Sequence, residues 1–306
     1  PDISLDATKA SHPALIGYTS GTTGRPKGAV LSHGNLLSSI RGLEIAWRWT
    51  SHDILILALP LFHMHGLGVG LHGSLAVGAK AVLLPQFKVD QVLNAISEFK
   101  ATLFFGVPTM YSRIIDSGRA NELDVLRLCV SGSAPLSSSL HESIQRESGQ
   151  VVLERYGMTE TAMLVSNLYE GARKAGSVGI PLPGVEIRLE GDASEIEVRG
   201  PNVFEGYWER PDANAEAFRD GWFRTGDLGR LDEDGYLTIT GRAKELIISG
   251  GFNIYPREIE DALCEHDAIT ECAVVGVADD EWGEAVAAFV VADRDIGYEE
   301  ARDFVG

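Results

Sequence analysis

The segment Tyr18-Thr-Ser-Gly-Thr-Thr-Gly-Arg-Pro-Lys-Gly28 lies between a strand-like run and a helical pattern, and its composition is that of an anion-binding loop. Its eleven residues include four Ser or Thr hydroxyls, three glycines and two cations. Glycines let backbone N–H groups approach phosphate oxygens closely, and hydroxyls and a lysine ammonium add donors and charge. The segment is therefore predicted to bind a polyphosphate. It is not a Walker A loop, because the Gly-Lys-Ser/Thr ending is missing and Pro26 separates Arg25 from Lys27.

Strand-like and helix-like patterns alternate along the chain from residue 14 to residue 156. Short apolar runs that suit buried strands lie at 14–18, 54–59, 80–84, 102–106, 126–131 and 151–156. Between them, apolar residues recur at helical spacing in the segments 35–47, 66–77, 89–99, 109–117 and 137–148. Such alternation is typical of a parallel sheet with helices packed on its faces. The sequence therefore predicts an α/β fold for this part of the chain.

The pattern changes after Gly176. Short β-like segments broken by Gly, Pro and Asp predict a small β-barrel-like subdomain. Beyond Gly241, strand, helix and strand patterns at 245–249, 256–264 and 271–277 predict the beginning of a small α+β domain. We therefore divide the chain into the α/β part of a large N-terminal domain, the barrel-like subdomain, and a hinge with the beginning of the C-terminal domain, at 1–176, 177–240 and 241–306.

Composition restricts the possible partners and locations. The 306 residues are 44% hydrophobic and carry a formal charge of −18, so nucleic acid and anionic membrane surfaces are not expected to bind. No apolar run is long enough to span a membrane, and the first residues do not resemble a signal peptide, so a cytoplasmic location is expected. Cys129, Cys264 and Cys272 are odd in number and form no CxxC pair, so they are predicted to be small buried residues rather than disulfide or zinc sites.

Further motifs accompany the phosphate loop. They are Pro60-Leu-Phe-His63, Ser131-Gly-Ser-Ala-Pro135, Tyr156-Gly-Met-Thr-Glu160, Thr225-Gly-Asp227, Gly241-Arg-Ala-Lys-Glu245 and Ser249-Gly-Gly-Phe-Asn253. Together with the loop, they resemble the acyl-activating, adenylate-forming superfamily, which includes acyl-CoA synthetases, peptide-synthetase adenylation domains and luciferases. The resemblance extends over essentially the whole chain. It implies a ligase that uses ATP, Mg²⁺ and coenzyme A to activate a small carboxylic acid.

The resemblance also implies a nucleotide site. In residue chemistry, the ring of Tyr156 suits stacking on adenine, the Thr159 hydroxyl suits the α-phosphate, Glu160 suits Mg²⁺, and Asp227 suits the two ribose hydroxyls. Taken alone, Tyr156–Glu160 is also consistent with a turn that has a solvated Glu, and a lone Thr-Gly-Asp is more often an ordinary turn. The expected ATP- and AMP-binding residues are Thr19, Ser20, Gly21, Thr22, Thr23, Gly24, Lys27, Ser133, Ala134, Pro135, Arg155, Tyr156, Gly157, Met158, Thr159, Asp227 and Arg242.

Other roles follow from the same resemblance. Lys244 corresponds to the family's hinge, and Gly251 is expected to leave space for pantetheine in a coenzyme A tunnel that Ser249 and Gly250 also line. A metal pair at His63 and His65 lacks supporting ligands, so His63 is assigned to the acyl site and His65 to packing. The residues expected to be catalytic are Lys27, His63, Thr159 and Glu160, the last as the metal ligand.

Two arginines indicate which acid is activated. Arg155 directly precedes Tyr156 in the nucleotide motif, and Arg113 lies in Pro108-Thr-Met-Tyr-Ser-Arg113. A buried arginine needs an anion, and a dicarboxylic acid supplies one that a fatty-acid or aryl tunnel does not. With both arginines at these positions, the chain resembles malonyl-CoA synthetases, which activate malonate and sometimes methylmalonate. The residues expected at the substrate carboxylate are Arg113, Arg155 and His63.

Three alternatives stay open. Both arginines could be structural, the enzyme could be a medium- or long-chain fatty acyl-CoA synthetase, and the chain could be a nucleotide-binding remnant without turnover. The resemblance also implies that the family's catalytic lysine lies beyond Gly306 and that about a third of a usual synthetase lies before Pro1.

Overall fold

The computed structural model describes residues 8–19, 26–279 and 282–305. Its strands are β1 (Pro13–Thr19), β2 (Lys27–Ser32), β3 (Ile54–Leu57), β4 (Lys80–Leu83), β5 (Leu103–Gly106), β6 (Leu128–Ser131), β7 (Leu153–Tyr156), β8 (Val165–Ser166), β9 (Ile180–Pro181), β10 (Glu186–Glu190), β11 (Glu195–Arg199), β12 (Gly206–Tyr207), β13 (Phe218–Arg219), β14 (Trp222–Leu231), β15 (Leu237–Arg242), β16 (Ile247–Ser249), β17 (Phe252–Ile254), β18 (Ile269–Asp279) and β19 (Gly283–Ala292). Its α-helices are α1 (His33–Trp47), α2 (His72–Val77), α3 (Val89–Phe99), α4 (Pro108–Asp116), α5 (Ser138–Ser148), α6 (Pro211–Ala217), α7 (Pro256–Leu263) and α8 (Tyr298–Val305).

A seven-stranded sheet in the order β4-β3-β5-β6-β7-β8-β9 forms the centre of the first part of the chain. The first five strands in this order run parallel, and β8 and β9 are antiparallel. The sequences of β5 and β6, Leu-Phe-Phe-Gly and Leu-Cys-Val-Ser, are buried throughout, as expected for strands covered on both faces. The predicted α/β fold with a parallel sheet is confirmed, and five of the six predicted strands belong to this sheet.

The first predicted strand, at 14–18, does not belong to the parallel sheet. It forms β1, which pairs antiparallel with β2, and β12 pairs with the other edge of β2. The register pairs Thr19 with Lys27, so the two ends of the phosphate-loop segment are neighbours on adjacent strands. The sequence analysis missed β2 because its apolar residues run directly into the helical pattern of α1.

The helix predicted at 66–77 is α-helical only from His72. Its first part is a π-helix at His65–Leu71, in which glycines occupy every second position from Gly66 to Gly70. Glycine disfavours a regular α-helix, and the side chain of Leu57 lies where a Cβ on Gly70 would be. Alternating glycines therefore let this wider helix pack directly on the sheet.

The contact pattern divides the chain into two compact units. The first comprises 1–187, 198–223 and 233–237, and the second 188–197, 224–232 and 238–306. The first unit has a large hydrophobic core around β3, β5 and β6. The boundaries predicted at residues 176 and 240 remain predictions.

The second unit contains most of β11, β14 and β15 and a separate four-stranded antiparallel sheet in the order β17-β16-β19-β18. A small core of Ile247, Leu263, Ile269 and Val274 joins this sheet to α7. The β-rich character predicted for the middle of the chain is confirmed by the five strands from β10 to β15 that form one sheet in the order β10-β11-β14-β13, with β15 beside β14. None of the helices described is both long and apolar enough to cross a bilayer.

An ion pair holds the amino-terminal edge of the parallel sheet. Asp53, just before β3, receives hydrogen bonds of 2.6 Å from both Nε and Nη2 of Arg127 and one of 2.7 Å from the Thr102 hydroxyl. The third guanidinium nitrogen of Arg127, Nη1, donates to the carbonyl of Trp47, the last residue of α1. Burial alone would raise the pKa of Asp53, but hydrogen bonds from Arg127, Thr102 and the Thr50 amide outweigh it and lower the pKa. Strands β3, β5 and β6 are thereby fastened at one edge.

We expect Asp53→Asn to lower the free energy of unfolding by about 3 kcal/mol at pH 7, because Arg127 loses its charged partner. The lowered pKa means that this stabilisation is complete above the carboxyl's unfolded-state pKa of about 4 and is lost as pH falls through the folded-state pKa. Denaturant unfolding at pH 7 and pH 3 measures both effects. The matched control is Asp90→Asn, since Asp90 forms an exposed pair with Arg119. Equal losses in the two variants, or a pH-independent loss, would contradict this account.

Candidate functional site

The predicted site motifs follow the carboxyl ends of neighbouring parallel strands. The segment Ser131–Pro135 begins at the last residue of β6, and Tyr156–Glu160 begins at the last residue of β7, the adjacent strand. Carboxyl ends of parallel strands lie at one edge of a sheet, where ligands of open α/β sheets bind. The fold therefore brings the two motifs together at the edge opposite the Asp53 ion pair.

Arg155 is the most unusual group at this edge. Its residue is only 4% exposed, yet its one side-chain hydrogen bond among the described residues is from Nη2 to the Ser133 hydroxyl, at 3.4 Å. Its Nε is buried without a hydrogen-bond acceptor, and no carboxylate in the described parts of the chain pairs with it. Burial lowers the pKa of Arg155 to about 9, which leaves the group cationic at neutral pH. A buried cation without a counter-ion is costly, so the site is suited to an anion.

The backbone at Gly132 leaves room for this guanidinium. A Cβ on Gly132 would lie 2.5 Å from Cζ and 2.6 Å from Nε of Arg155, well inside van der Waals contact. Glycine in the Ser-Gly-Ser-Ala-Pro motif therefore has a steric reason, which is the close approach of Arg155 to the chain.

His65 lies beside this pair, although the sequence analysis assigned it to packing. Its Nδ1 is 3.3 Å from the Ser133 hydroxyl, and its ring stacks on Phe105 with centroids 6.2 Å apart. Burial, and then the charge of Arg155, hold the pKa of His65 well below its usual value, so the imidazole is neutral. His63, which was assigned to the acyl site, is exposed and its ring contacts Phe62. The histidine that the structure brings to Arg155 is thus the second of the two.

Ser133 connects both groups in a strained conformation. Its φ of +70° is in the left-handed region, which costs a non-glycine residue about 1–2 kcal/mol. The side chain lies within hydrogen-bond reach of His65 and Arg155, while Ser133 itself, Ala134 and Pro135 are exposed. Residues 133–135 are thus accessible to solvent next to the buried guanidinium of Arg155.

A second group of predicted residues meets at Glu160. Its buried carboxylate accepts hydrogen bonds from the Thr19 hydroxyl at 3.3 Å and from the Tyr207 hydroxyl at 2.9 Å. The ammonium of Lys27 lies 5.2 Å from the centre of the Tyr207 ring. Burial, and then the charge of Glu160, raise the pKa of Tyr207, so its hydroxyl remains a donor. The sequence analysis missed Tyr207, which β12 brings to this point by pairing with β2.

The surroundings of Glu160 suit Mg²⁺ carried by a nucleotide. Mg²⁺ is usually held by one or two carboxylates together with substrate phosphates, rather than by a cage of protein ligands. Glu160 is a single buried carboxylate, and the described residues contain no cluster of three His, Cys, Asp or Glu side chains that could hold a metal alone. The residues present therefore fit a metal that arrives with phosphate.

The remaining predicted residues of the first unit are placed as follows. Tyr156, the last residue of β7, and Gly157, Met158 and Thr159, which follow it, are half-buried, and the methyl group of Thr159 lies against Gly17 of β1. Arg113 is exposed on α4, and its side chain makes no hydrogen bond or ion pair with a described residue. The structure therefore does not join Arg113 to Arg155. Ser20, Gly21, Thr22, Thr23 and Gly24 lie outside the described residues, so their roles remain predictions.

In the second unit, Asp227 and Arg242 come together. Nε of Arg242 lies 3.0 Å from Oδ1 of Asp227, and the arginine is half-exposed while the carboxylate is buried. Lys244 lies in a short 3₁₀ turn, Ala243–Glu245, directly after β15. Two residues predicted to bind the nucleotide thus form one ion pair, and Arg242 lies two residues before the predicted hinge, Lys244.

The predicted coenzyme A loop is a β-hairpin turn. Ser249 pairs with Phe252, so Gly250 and Gly251 are the two turn residues, with φ of +58° and +84°. Both angles favour glycine, as in a type I′ turn. Gly251 was expected to leave space for pantetheine, and a Cβ there would have no described atom within 4 Å. The turn conformation is a separate reason for the glycine, and its role in the tunnel remains a prediction.

Comparison with known proteins identifies the class. The family description "AMP-binding enzyme" matches residues 3–208, and "AMP-binding enzyme C-terminal domain" matches residues 258–305. Since the first match alone covers more than half of the chain, the chain belongs to the AMP-binding enzyme family.

Several individual proteins of known description are similar to this chain. The chain is 42% identical over 309 residues to a malonate–CoA ligase of Arabidopsis thaliana, covering 92% of this chain and 51% of that protein. It is also 42% identical over 290 residues to a feruloyl-CoA synthase of Amycolatopsis sp., covering 90% and 59%. The crystal structure of ATP-bound MatB from Rhodopseudomonas palustris superposes with a TM-score of 0.92 at 45% identity, covering 97% of this chain and 62% of that one. The chain thus spans between half and two thirds of the length of these relatives.

The contact between Gly132 and Arg155 predicts a non-additive pair of substitutions. Gly132→Ala alone should lower the free energy of unfolding by about 1–3 kcal/mol, because the new methyl group overlaps the guanidinium. In an Arg155→Ala background the same change should cost little, since the overlapping atoms are gone. Chemical denaturation of the two single variants, the double variant and the wild type measures the coupling. Additive costs would mean that Gly132 is required for another reason.

Proposed function

We propose that the protein is an ATP-dependent acid–CoA ligase that activates malonate or methylmalonate. The observation that carries the proposal is the buried guanidinium of Arg155, which lies beside the nucleotide motif and pairs with no carboxylate among the described residues. A ligand carboxylate is the natural counter-ion for such a group, and a guanidinium can bind it through two parallel hydrogen bonds.

Sequence identity alone does not choose the acid. The malonate–CoA ligase and the feruloyl-CoA synthase are both 42% identical to this chain. The distinction has to come from the pocket, because a monocarboxylic acid uses its only carboxylate in the reaction. A dicarboxylic acid keeps a second one for Arg155. We therefore favour a short dicarboxylate, with Arg113 and His63 retained as proposed acyl-site residues.

In the first proposed half-reaction, the substrate carboxylate attacks the α-phosphorus of ATP, the acyl-adenylate forms and pyrophosphate leaves. The chain's contribution is to position the reactants and to neutralise phosphate charge. Lys27 supplies a cation at the start of β2, and Thr159 supplies a hydroxyl. Glu160 supplies the carboxylate for nucleotide-bound Mg²⁺, which would neutralise phosphate charge when present. Tyr207 and Thr19 orient that carboxylate.

In the second half-reaction, the thiolate of coenzyme A displaces AMP to give the acyl-CoA thioester. We propose that Asp227, held by Arg242, binds the ribose hydroxyls. Lys244 is the proposed hinge between the two half-reactions, and the hairpin turn at Ser249, Gly250 and Gly251 is the proposed lining of the pantetheine tunnel. A cytoplasmic location remains a prediction of the sequence.

The substrate proposal predicts a selective loss. Arg155→Ala should lower kcat/KM for malonate at least tenfold more than for butyrate, because only malonate has a second carboxylate left without its partner, a penalty of about 2–5 kcal/mol. Pyrophosphate release by the full-length protein measures both rates. Arg113→Ala tests the second arginine in the same way. Arg119→Ala is the matched control, since Arg119 pairs with Glu122 and Asp90 on the surface.

The other outcomes identify the alternatives. Equal losses with both acids would make Arg155 structural, and a wild type that prefers octanoate to malonate would make the protein a fatty acyl-CoA synthetase. ATP binding measured by calorimetry without pyrophosphate release from any acid would make it a nucleotide-binding remnant.

The Glu160 site predicts an effect of Tyr207. Tyr207→Phe should raise the Mg²⁺ concentration needed for half-maximal ATP–pyrophosphate exchange about tenfold, because the carboxylate loses the donor that orients it. A magnesium titration at fixed ATP measures the change. Tyr236→Phe is the control, since the Tyr236 hydroxyl donates to the Ala172 carbonyl on the surface. An unchanged magnesium requirement would remove Tyr207 from the metal site.

A further inference from the structure

Two cysteines that the sequence analysis treated as separate small residues are neighbours in the structure. Cys264 directly follows the last residue of α7, and Cys272 lies on β18. Their sulfur atoms are 3.3 Å apart, and both side chains are half-buried rather than enclosed. This contact could not be predicted from the sequence, because a spacing of eight residues matches no disulfide or metal motif.

The surroundings of the pair permit a bond between the sulfurs. A disulfide requires about 2.05 Å between sulfur atoms, so the thiols need to approach by roughly 1.3 Å. Cys272 is held in register by pairing with Val290, but Cys264 lies at a helix end, where the backbone adjusts most easily. Both residues belong to the second unit, so closure involves no other part of the chain.

Oxidation would leave no buried acceptor without a donor. The Cys272 thiol donates to the carbonyl of Glu260 at 3.2 Å, and this bond is lost when the thiol is oxidised. The backbone N–H of Cys264 donates to the same carbonyl at 2.9 Å, and that bond remains. The usual penalty for losing a buried hydrogen bond is therefore avoided.

We propose that Cys264 and Cys272 form a reversible dithiol–disulfide site that reacts with a low-molecular-weight disulfide such as oxidised glutathione. Intracellular disulfides of this kind are typically transient and redox-responsive. The proposal uses none of the residues assigned to the proposed nucleotide and acyl sites, so it does not depend on the ligase function.

The reaction has two exchange steps. The Cys264 thiolate attacks one sulfur of oxidised glutathione, the glutathione disulfide bond breaks, and one glutathione thiolate leaves. The Cys272 thiolate, formed by loss of its proton to solvent, then attacks the Cys264 sulfur and releases the second glutathione. The protein loses two electrons and two protons, and one oxidised glutathione becomes two reduced molecules.

The order of the steps follows from the environment of Cys272. Burial, and then the Cys264 thiol and the carboxylates of Glu260 and Asp261, raise the pKa of Cys272. Its thiolate is therefore scarce at neutral pH, and Cys264 is the thiol that meets the oxidant first. Cys272 resolves the mixed disulfide because its sulfur is already beside that of Cys264.

The disulfide would stabilise the second unit. It closes the loop from Cys264 to Cys272 and links α7 to β18 beside the small core that contains Leu263 and Val274. A short covalent loop restricts the unfolded chain, so the oxidised unit should unfold at a temperature about 5 °C higher. Reduction would reverse the effect.

Mass spectrometry after oxidation of the full-length protein tests the site directly. The protein is equilibrated with oxidised and reduced glutathione, free thiols are alkylated, and the chain is cut with trypsin. Both cysteines lie in the tryptic peptide 258–294, between Arg257 and Arg294, while Cys129 lies in another peptide. We expect this peptide to lose two hydrogens and to escape alkylation. Cleavage after Glu and Asp should then yield two fragments joined only by the disulfide, since Glu265, Asp267 and Glu271 lie between the cysteines.

Variants provide the controls. Cys264→Ser should leave Cys272 slow to react, and Cys272→Ser should trap glutathione on Cys264, whereas Cys129→Ser should oxidise like the wild type. Cys129 is fully buried and burial raises its pKa to about 12, so it should stay reduced. The rise in unfolding temperature should occur only where both Cys264 and Cys272 are present. Three results with the wild-type protein would each overturn the proposal: peptide 258–294 stays fully alkylated, it keeps glutathione on both thiols, or it cross-links two chains. None of these results depends on the folding of a variant.

Discussion

The desolvation of one guanidinium constrains much of the first unit's site. Arg155 lies at the end of a buried strand, and its charge has no carboxylate to face among the described residues. Its neighbours are consistent with that charge: Gly132 has no side chain where the guanidinium lies, and His65 stays neutral rather than adding a second cation. Ser133 offers both groups a hydroxyl at the cost of a left-handed backbone. The strained backbone, and a charge that no described carboxylate compensates, suit a ligand that supplies an anion.

The two edges of the parallel sheet have opposite characters. At the amino-terminal edge, Asp53 and Arg127 satisfy each other and neighbouring backbone groups, so that edge contributes stability. At the carboxyl-terminal edge, Nε of Arg155 and Nε2 of His65 are buried and have no hydrogen-bond partner among the residues that the structure describes. The residues that stabilise the fold and those of the candidate site therefore lie at opposite edges of the same sheet. The amino-terminal edge is rigid, and it can therefore support the strained backbone at the carboxyl-terminal edge.

Local patterns predicted local structure well, and contacts between distant residues were beyond them. Helices at 89–99 and 137–148 and the buried strands were predictable because side-chain periodicity reflects burial within each element. The antiparallel pairing of β1 was missed because it depends on β2 and β12, the latter far along the chain. Tyr207 and the adjacency of Cys264 and Cys272 were missed for the same reason, since no spacing rule encodes them. His63 and His65 are two residues apart, and their spacing in the sequence does not show which ring lies beside Ser133 and Arg155.

The side chain of Tyr207 lies beside two groups of opposite charge. Its hydroxyl holds the carboxylate of Glu160 while its face receives the ammonium of Lys27, and these two groups form no direct ion pair in the described structure. A direct ion pair between the Glu160 carboxylate and the Lys27 ammonium would neutralise both charges. The hydroxyl of Tyr207 takes the carboxylate and its ring face takes the ammonium. One side chain therefore positions both charges, and a polyanion and its counter-cation can each meet a group of opposite charge.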